Sequence, residues 1–166
     1  MTMPPGVRKL ALTAHVTTSV AWLGAVAAFL ALAVTGLAGD DDPTVRSAYV
    51  AAEVVTWAVI VPLCLASLVT GVMQSLGTPW GLVRQWWVLI KLALTVVATG
   101  LLLLHTQPIG HLSGIAASGG PLGADLDGMR VQLLVDAAAA LVVLMGATVL
   151  AVVKPRGLTP FARRAP

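Results

Sequence analysis

Two ionisable side chains, His15 and Lys91, sit inside long apolar runs of this 166-residue chain. Each follows a basic residue by seven positions, His15 after Arg8 and Lys91 after Arg84. At the rise of an α-helix both stand about 10 Å beyond a basic boundary, on different helices but at one depth. Ionisable groups within an apolar span are costly and are functional candidates by default. A neutral imidazole at His15 can ligate a haem iron, with Lys91 as the trans ligand or as the partner of a haem propionate. Trp22, two turns further along the His15 face, can pack against the porphyrin. The plainer alternative has Lys91 snorkelling its ammonium toward the headgroups and a neutral His15 hydrogen-bonded to a hydroxyl on a neighbouring helix.

A second set of ionisable residues lies further from the basic boundary, on the second, third and fourth apolar runs. His105 follows Arg84 by 21 positions, about 31 Å of helix, and Asp136 precedes Lys154 by 18, about 27 Å. Glu53, 23 positions before Leu76, comes to about 34 Å. His105, Glu53 and Asp136 therefore form an outer layer, with Arg130 and His111 just above it. A carboxylate and imidazole set of this kind suits a borderline divalent metal or a proton relay. The alternative is an ion-pair cluster near the headgroups, with Glu53 and Asp136 paired to Arg130 or His105 and with His111 solvated. His15 and His105 differ by roughly 20 Å in depth, so one flat porphyrin cannot be ligated by both.

Holding such residues at fixed depths requires helices that cross a bilayer, and the composition demands the same. Apolar residues make up 58% of the chain and charged residues 10%, with a mean hydropathy of +0.92. Soluble domains carry roughly 45–50% apolar and about 25% charged residues, so the charge here is too sparse to cover a soluble surface. Soluble-enzyme, disordered and nucleic-acid-binding classes are thereby excluded. Four stretches, Leu10–Leu37, Val50–Leu76, Trp86–Leu104 and Val131–Val153, each reach the length of about 20 residues that a helical span needs. They are too long for barrel strands. The expected fold is all-α: a four-helix transmembrane bundle, antiparallel, forming one membrane domain over the whole chain.

Within that bundle, Gly24, Gly71, Gly100 and Gly146 supply one small-residue notch per span for close helix approach. Pro62 is expected to kink the second span. At 100° per residue, polar stripes run through His15, Thr18, Ser19 and Trp22, through Glu53, Thr56, Trp57, Ile60, Cys64, Ser67 and Gly71, and through Lys91, Thr95, Thr99, Leu102 and His105. These faces either turn toward a bundle interior or cofactor, or consist of hydroxyls bonded back to their own helix. The segment Gln107–Gly128 holds six glycines and two prolines and reads as a long loop, a candidate lid over the outer layer.

Basic residues orient the spans. Arg8, Lys9, Arg84, Lys154, Arg156, Arg163 and Arg164 fall on one side, and only Arg46 and Arg130 on the other. Because basic loops stay on the cytoplasmic side, both termini are placed in the cytoplasm of a multi-pass protein of the bacterial inner membrane. The net charge of +3 follows from this asymmetry and calls for no polyanionic partner. The first apolar stretch is much longer than the 7–15 residues of a signal peptide and is expected to be retained. Trp80, Trp86 and Trp87 fit an interfacial aromatic belt. The single cysteine, Cys64, allows no intrachain disulfide. The methionines (Met1, Met3, Met73, Met129, Met145) do not cluster, and no phosphate loop, Cys-x-x-Cys, His-x-x-x-His or nucleophile elbow occurs.

The first span reads His15-Val-Thr-Thr-Ser-Val-Ala-Trp22-Leu-Gly24. It resembles the opening His…Trp-x-Gly helix of the HemJ-type protoporphyrinogen oxidases and the CopD-type copper-resistance membrane proteins. Trp87-Val-Leu-Ile-Lys91 is similar to the Trp-x-x-x-Lys helix of the HemJ type. That resemblance implies His15 and Lys91 as the haem-associated pair. It ends at Ala25–Ala33, purely apolar here where the HemJ type carries Arg and Tyr. Taken whole, and above all through Val61-Pro62 to Thr70-Gly71 and Gly81–His105, the chain looks most like small four-span actinobacterial membrane proteins of unknown function. Two functions are expected from different classes: a membrane haem b protein in electron transfer or porphyrin oxidation, or a non-catalytic membrane subunit packed against a partner protein or a second copy of itself. An oligomeric transporter stands third.

Overall fold

The structure, a computed structural model, describes residues 3–38, 43–78, 81–155 and 157–160. Of the residues singled out by sequence, Met1, Trp80, Arg156, Arg163 and Arg164 lie outside the described residues. The chain runs through α1 (Pro5–Leu37), α2 (Pro43–Val55), a π-helical turn (Thr56–Ile60), α3 (Val61–Leu76), α4 (Trp86–Leu104), α5 (Thr106–Ser118), a 3-10 turn (Ala124–Leu126) and α6 (Asp127–Val153). These elements make four spans long and apolar enough to cross a bilayer: Pro5–Leu37, Pro43–Leu76, Trp86–Ser118 and Ala124–Val153. The expected four-helix transmembrane bundle is the fold. Among the described residues the β pairing is one isolated bridge, Gln85 to Leu158.

Several helices start earlier than hydropathy places them. Pro5 opens α1 and Pro43 opens α2. Proline suits a first turn because its φ is preset and the missing N–H would have no intrahelical partner there. The outer surface is what lipid requires: Leu10, Val142 and Val152 are 72%, 69% and 75% exposed. Trp22, Phe29, Tyr49, Ile60, Cys64, Leu112 and Leu133 fill the interior.

The segment Gln107–Gly128 is not a loop. All of its first half is α5, which packs on α2 and buries Ile109, Leu112, Ser113 and Ala116, and only 119–123 are without helix. Pro108 lies in the first turn, where proline is tolerated. Gly110 lets α2 come close: a Cβ there would lie 3.5 Å from the Glu53 carboxylate. Gly119 ends α5 in the left-handed region at φ +74°, a conformation glycine adopts without steric cost.

Pro62 is absorbed by the π-helical turn just before it. Proline supplies no N–H and its ring crowds the carbonyl four residues back, and the wider turn takes up the mismatch. The extra residue shifts the helical phase, so Trp57 leaves the polar stripe and stands 52% exposed, whereas Thr56, Ile60, Cys64 and Ser67 remain buried. The glycine notches also differ from expectation. A Cβ on Gly24, Gly100 or Gly146 would meet nothing within 4 Å, and only Gly71 is in close contact, with the His15 ring.

Both ends of the bundle are tied by polar contacts. At the end carrying Arg8, Arg84 and Lys154, Met3 N–H donates to the Gly77 carbonyl (3.1 Å) and Trp86 N–H to that of Gly157 (3.3 Å). Buried Thr159 donates its hydroxyl to the Val83 carbonyl and its N–H to that of Arg84 (3.0 Å). At the opposite end Arg130, 4% exposed, donates Nη2–H to the Gly36 carbonyl (2.6 Å), Nε–H to the Tyr49 hydroxyl (2.9 Å) and Nη1–H to Asp127 (3.0 Å). Tyr49 in turn donates to Gly36 (2.8 Å). Arg46 donates to the carbonyls of Ala116 (3.3 Å) and Gly120 (2.8 Å). The two arginines that break the basic asymmetry therefore serve the C-terminal carbonyls of α1 and α5, where cations complement the helix dipole.

Candidate functional site

Two cavities lie between the helices, and the sequence-derived residues divide between them. The larger, about 560 Å³, is lined from α1, α3, α4 and α6 at the basic end. His15 and Lys91 both line it, as their common depth requires, together with Trp22. The smaller, about 160 Å³, is lined by His105, Asp136 and again Trp22.

His15 is fixed by α3. Its Nδ1 lies 3.1 Å from the Ser67 carbonyl and 3.2 Å from the Thr70 hydroxyl. A carbonyl can only accept, so Nδ1 carries a proton, and in the neutral imidazole Nε2 keeps its lone pair. The ring rests on Gly71, where a Cβ would come within 2.9 Å of its Cε1. Ser19 and Ser67 join hydroxyls at 2.7 Å one turn further on, locking α1 against α3 at the site. A metal-binding imidazole is oriented in this way, by an N–H···O=C bond from its other nitrogen.

Lys91 Nζ lies 5.9 Å from the Trp87 ring centroid, one turn back on α4, within the range of cation–π attraction. The cavity lining includes Arg8, His15, Lys91 and Lys154 and, among the described residues, no Asp or Glu. Its field therefore favours an anionic group. Its volume falls in the range of small-molecule and cofactor sites, roughly 300–1,000 Å³. Gln74 Oε1 and Trp22 Nε1, on two lining side chains, are buried without a hydrogen-bond partner among the described residues. Buried polar groups left in that state each cost about 1–3 kcal/mol.

Gln74, Arg8 and Lys154 were not singled out from sequence as parts of this site. Gln74 was detectable, since Ser67, Gly71, Gln74 and Ser75 follow one helical face. The hydroxyl stripes hold both behaviours foreseen for them. Thr18, Thr70, Thr95 and Thr99 bond back to carbonyls of their own helices, whereas Ser19 crosses to Ser67 and the Cys64 thiol reaches Thr99 at 3.5 Å.

The outer layer assembles only in part. His105 Nε2 lies 3.4 Å from Asp136 Oδ2, with the two side chains 24% and 34% exposed. Glu53 stands instead against Gly110 on α5, outside the smaller cavity's lining. Among the described residues no group of three His, Cys, Asp or Glu side chains converges as metal ligands, so the expected His105, Glu53 and Asp136 set does not form. The physical reason is α5: it continues the third span past His105 and occupies the face of α2 on which Glu53 lies. Arg130 is committed to Gly36, Tyr49 and Asp127, leaving Asp136 to His105. His111 is exposed on α5. No protein-family model, curated protein or solved structure matches the chain.

Proposed function

We propose that this integral membrane protein resides in the bacterial inner membrane, with antiparallel spans and both termini cytoplasmic, and binds haem b in the larger cavity for electron transfer or porphyrin oxidation. The observation that carries the proposal is His15: Nδ1 is held by the Ser67 carbonyl, and Nε2 keeps its lone pair on a side chain lining a cationic cavity of about 560 Å³. The donor set fits the group. His15 would hold the iron through Nε2, Lys91, Arg8 and Lys154 would supply cations for the carboxylates, and Trp22 and Trp87 would supply aromatic walls. Bound haem supplies one-electron redox chemistry, tuned by axial ligand, burial and nearby charge. The chain's own residues fix the imidazole tautomer, hold the carboxylates and exclude water from the apolar wall.

The test is the reduced-minus-oxidised visible spectrum of detergent-purified protein expressed with ample haem. A Soret band in the wild type that is lost in His15→Ala is expected; colourless wild-type protein overturns the reading. A second reading, a non-catalytic subunit packed against a membrane partner or a second copy, is favoured by one observation: Gly24, Gly100 and Gly146 are exposed, and a Cβ added at any of them would meet nothing within 4 Å. Small residues on lipid-facing surfaces permit close helix association. Size analysis in mild detergent, comparing wild type with Gly146→Leu, decides it: a complex lost in the variant supports association, and an unchanged monomer removes it.

A further inference from the structure

We infer a second binding site, in the smaller cavity, for the ring of a lipid-soluble quinol or quinone. A cavity of about 150 Å³ with apolar walls holds one benzene ring, and this one measures about 160 Å³. Phe29, Ile60 and Leu133 form much of its apolar wall. One end is polar. Asp136 Oδ2 is buried and has no hydrogen-bond partner among the described residues, although His105 Nε2 stands 3.4 Å away. A buried carboxylate oxygen at the wall of an apolar cavity, with an imidazole at ion-pair distance but no hydrogen bond made, can accept one from a ligand. A quinol hydroxyl donates to it, and a quinone carbonyl accepts from His105 when the imidazole carries a proton at Nε2.

The cavity also reaches the bilayer. Val97 and Leu101 line it and are 59% and 50% exposed, so a ring can enter sideways past α4 and leave an isoprenoid tail among the acyl chains. Other membrane molecules fit less well. The lining contains no Lys or Arg for a phosphate, and an acyl tail offers Asp136 no hydrogen-bond donor. The inference stands apart from the haem proposal, because it uses His105 and Asp136 and neither His15 nor Lys91.

The experiment titrates a benzoquinone with a ten-carbon tail into the full-length protein in lipid nanodiscs, without added haem, and follows tryptophan fluorescence, with Trp22 in the cavity wall. Saturable quenching at one quinone per protein is expected. Decylbenzene, with the same tail and a ring without oxygens, should fail to compete. Asp136→Leu should weaken binding tenfold or more, Ala140→Phe should abolish it by filling the cavity, and Glu53→Gln should leave it unchanged. Non-saturable quenching overturns the proposal, and so does equal competition by decylbenzene, which marks a slot for hydrocarbon alone. The decylbenzene comparison uses only wild-type protein and decides the matter even where a variant fails to fold.

Discussion

Gly71 and His15 make the tightest test of the site at the scale of single residues. A Cβ at position 71 would press within 2.9 Å of His15 Cε1, so Gly71→Ala must turn the ring away from the Ser67 carbonyl. The variant should fold normally, as judged by circular dichroism, yet bind haem about tenfold more weakly, roughly 1.4 kcal/mol. Unchanged affinity would mean that the ring's seat on α3 is irrelevant. At the other end of the bundle, Arg130→Met removes the donors to the Gly36 carbonyl, the Tyr49 hydroxyl and Asp127, leaving the Tyr49–Gly36 bond to hold that corner, and should cost about 1–3 kcal/mol, read as a lower denaturation midpoint in detergent. Sequence revealed these residues unequally. His15 and Lys91 announced themselves as ionisable groups in apolar runs, and their depth followed from counting. Arg130 showed only as a basic residue on the wrong side, because its hydroxyl partner lies 81 positions away and its carbonyl partner 94.

At the scale of elements, α5 is where sequence and structure part. Glycine and proline counts argued for a loop, yet Ile109, Leu112, Ser113 and Ala116 stand at i, i+3, i+4 and i+7, the spacing of a buried helical face. Local breakers lost to a tertiary surface: α2 offers a face on which glycine at 110 is an advantage. Leu112, fully buried, measures that docking. Leu112→Ala should destabilise by about 2–5 kcal/mol, whereas in a solvated loop it would cost almost nothing. Hydrogen exchange across 106–118 should likewise be slow. The π-helical turn was half-legible. Pro62 marked a disruption, but its form, and the turning of Trp57 toward lipid, depend on both flanking helices being anchored, through Tyr49 and through Ser67.

For the whole molecule, composition and the four apolar runs sufficed for the bundle, since few alternatives satisfy backbone groups in hydrocarbon. The cavities were not legible: they arise where four helices fail to fill the space between them, and only packing decides that. The proposed orientation rests on charge and is open to labelling. Cys64 is buried and should stay silent, so a membrane-impermeant thiol reagent added to intact cells should label Ser118→Cys and spare Lys9→Cys. The reverse pattern would invert the proposed topology.

The most direct measurement is rescue of His15→Gly by free imidazole. Removing the side chain while keeping the cavity leaves room for an exogenous ligand at the same place. The purified variant should lose the Soret band and regain it when haem and imidazole are added together, with one haem per protein and no such gain in Lys91→Met/His15→Gly beyond weaker retention. A His15→Gly variant that keeps the wild-type spectrum without imidazole would show the iron to be held elsewhere and would contradict the account at its centre.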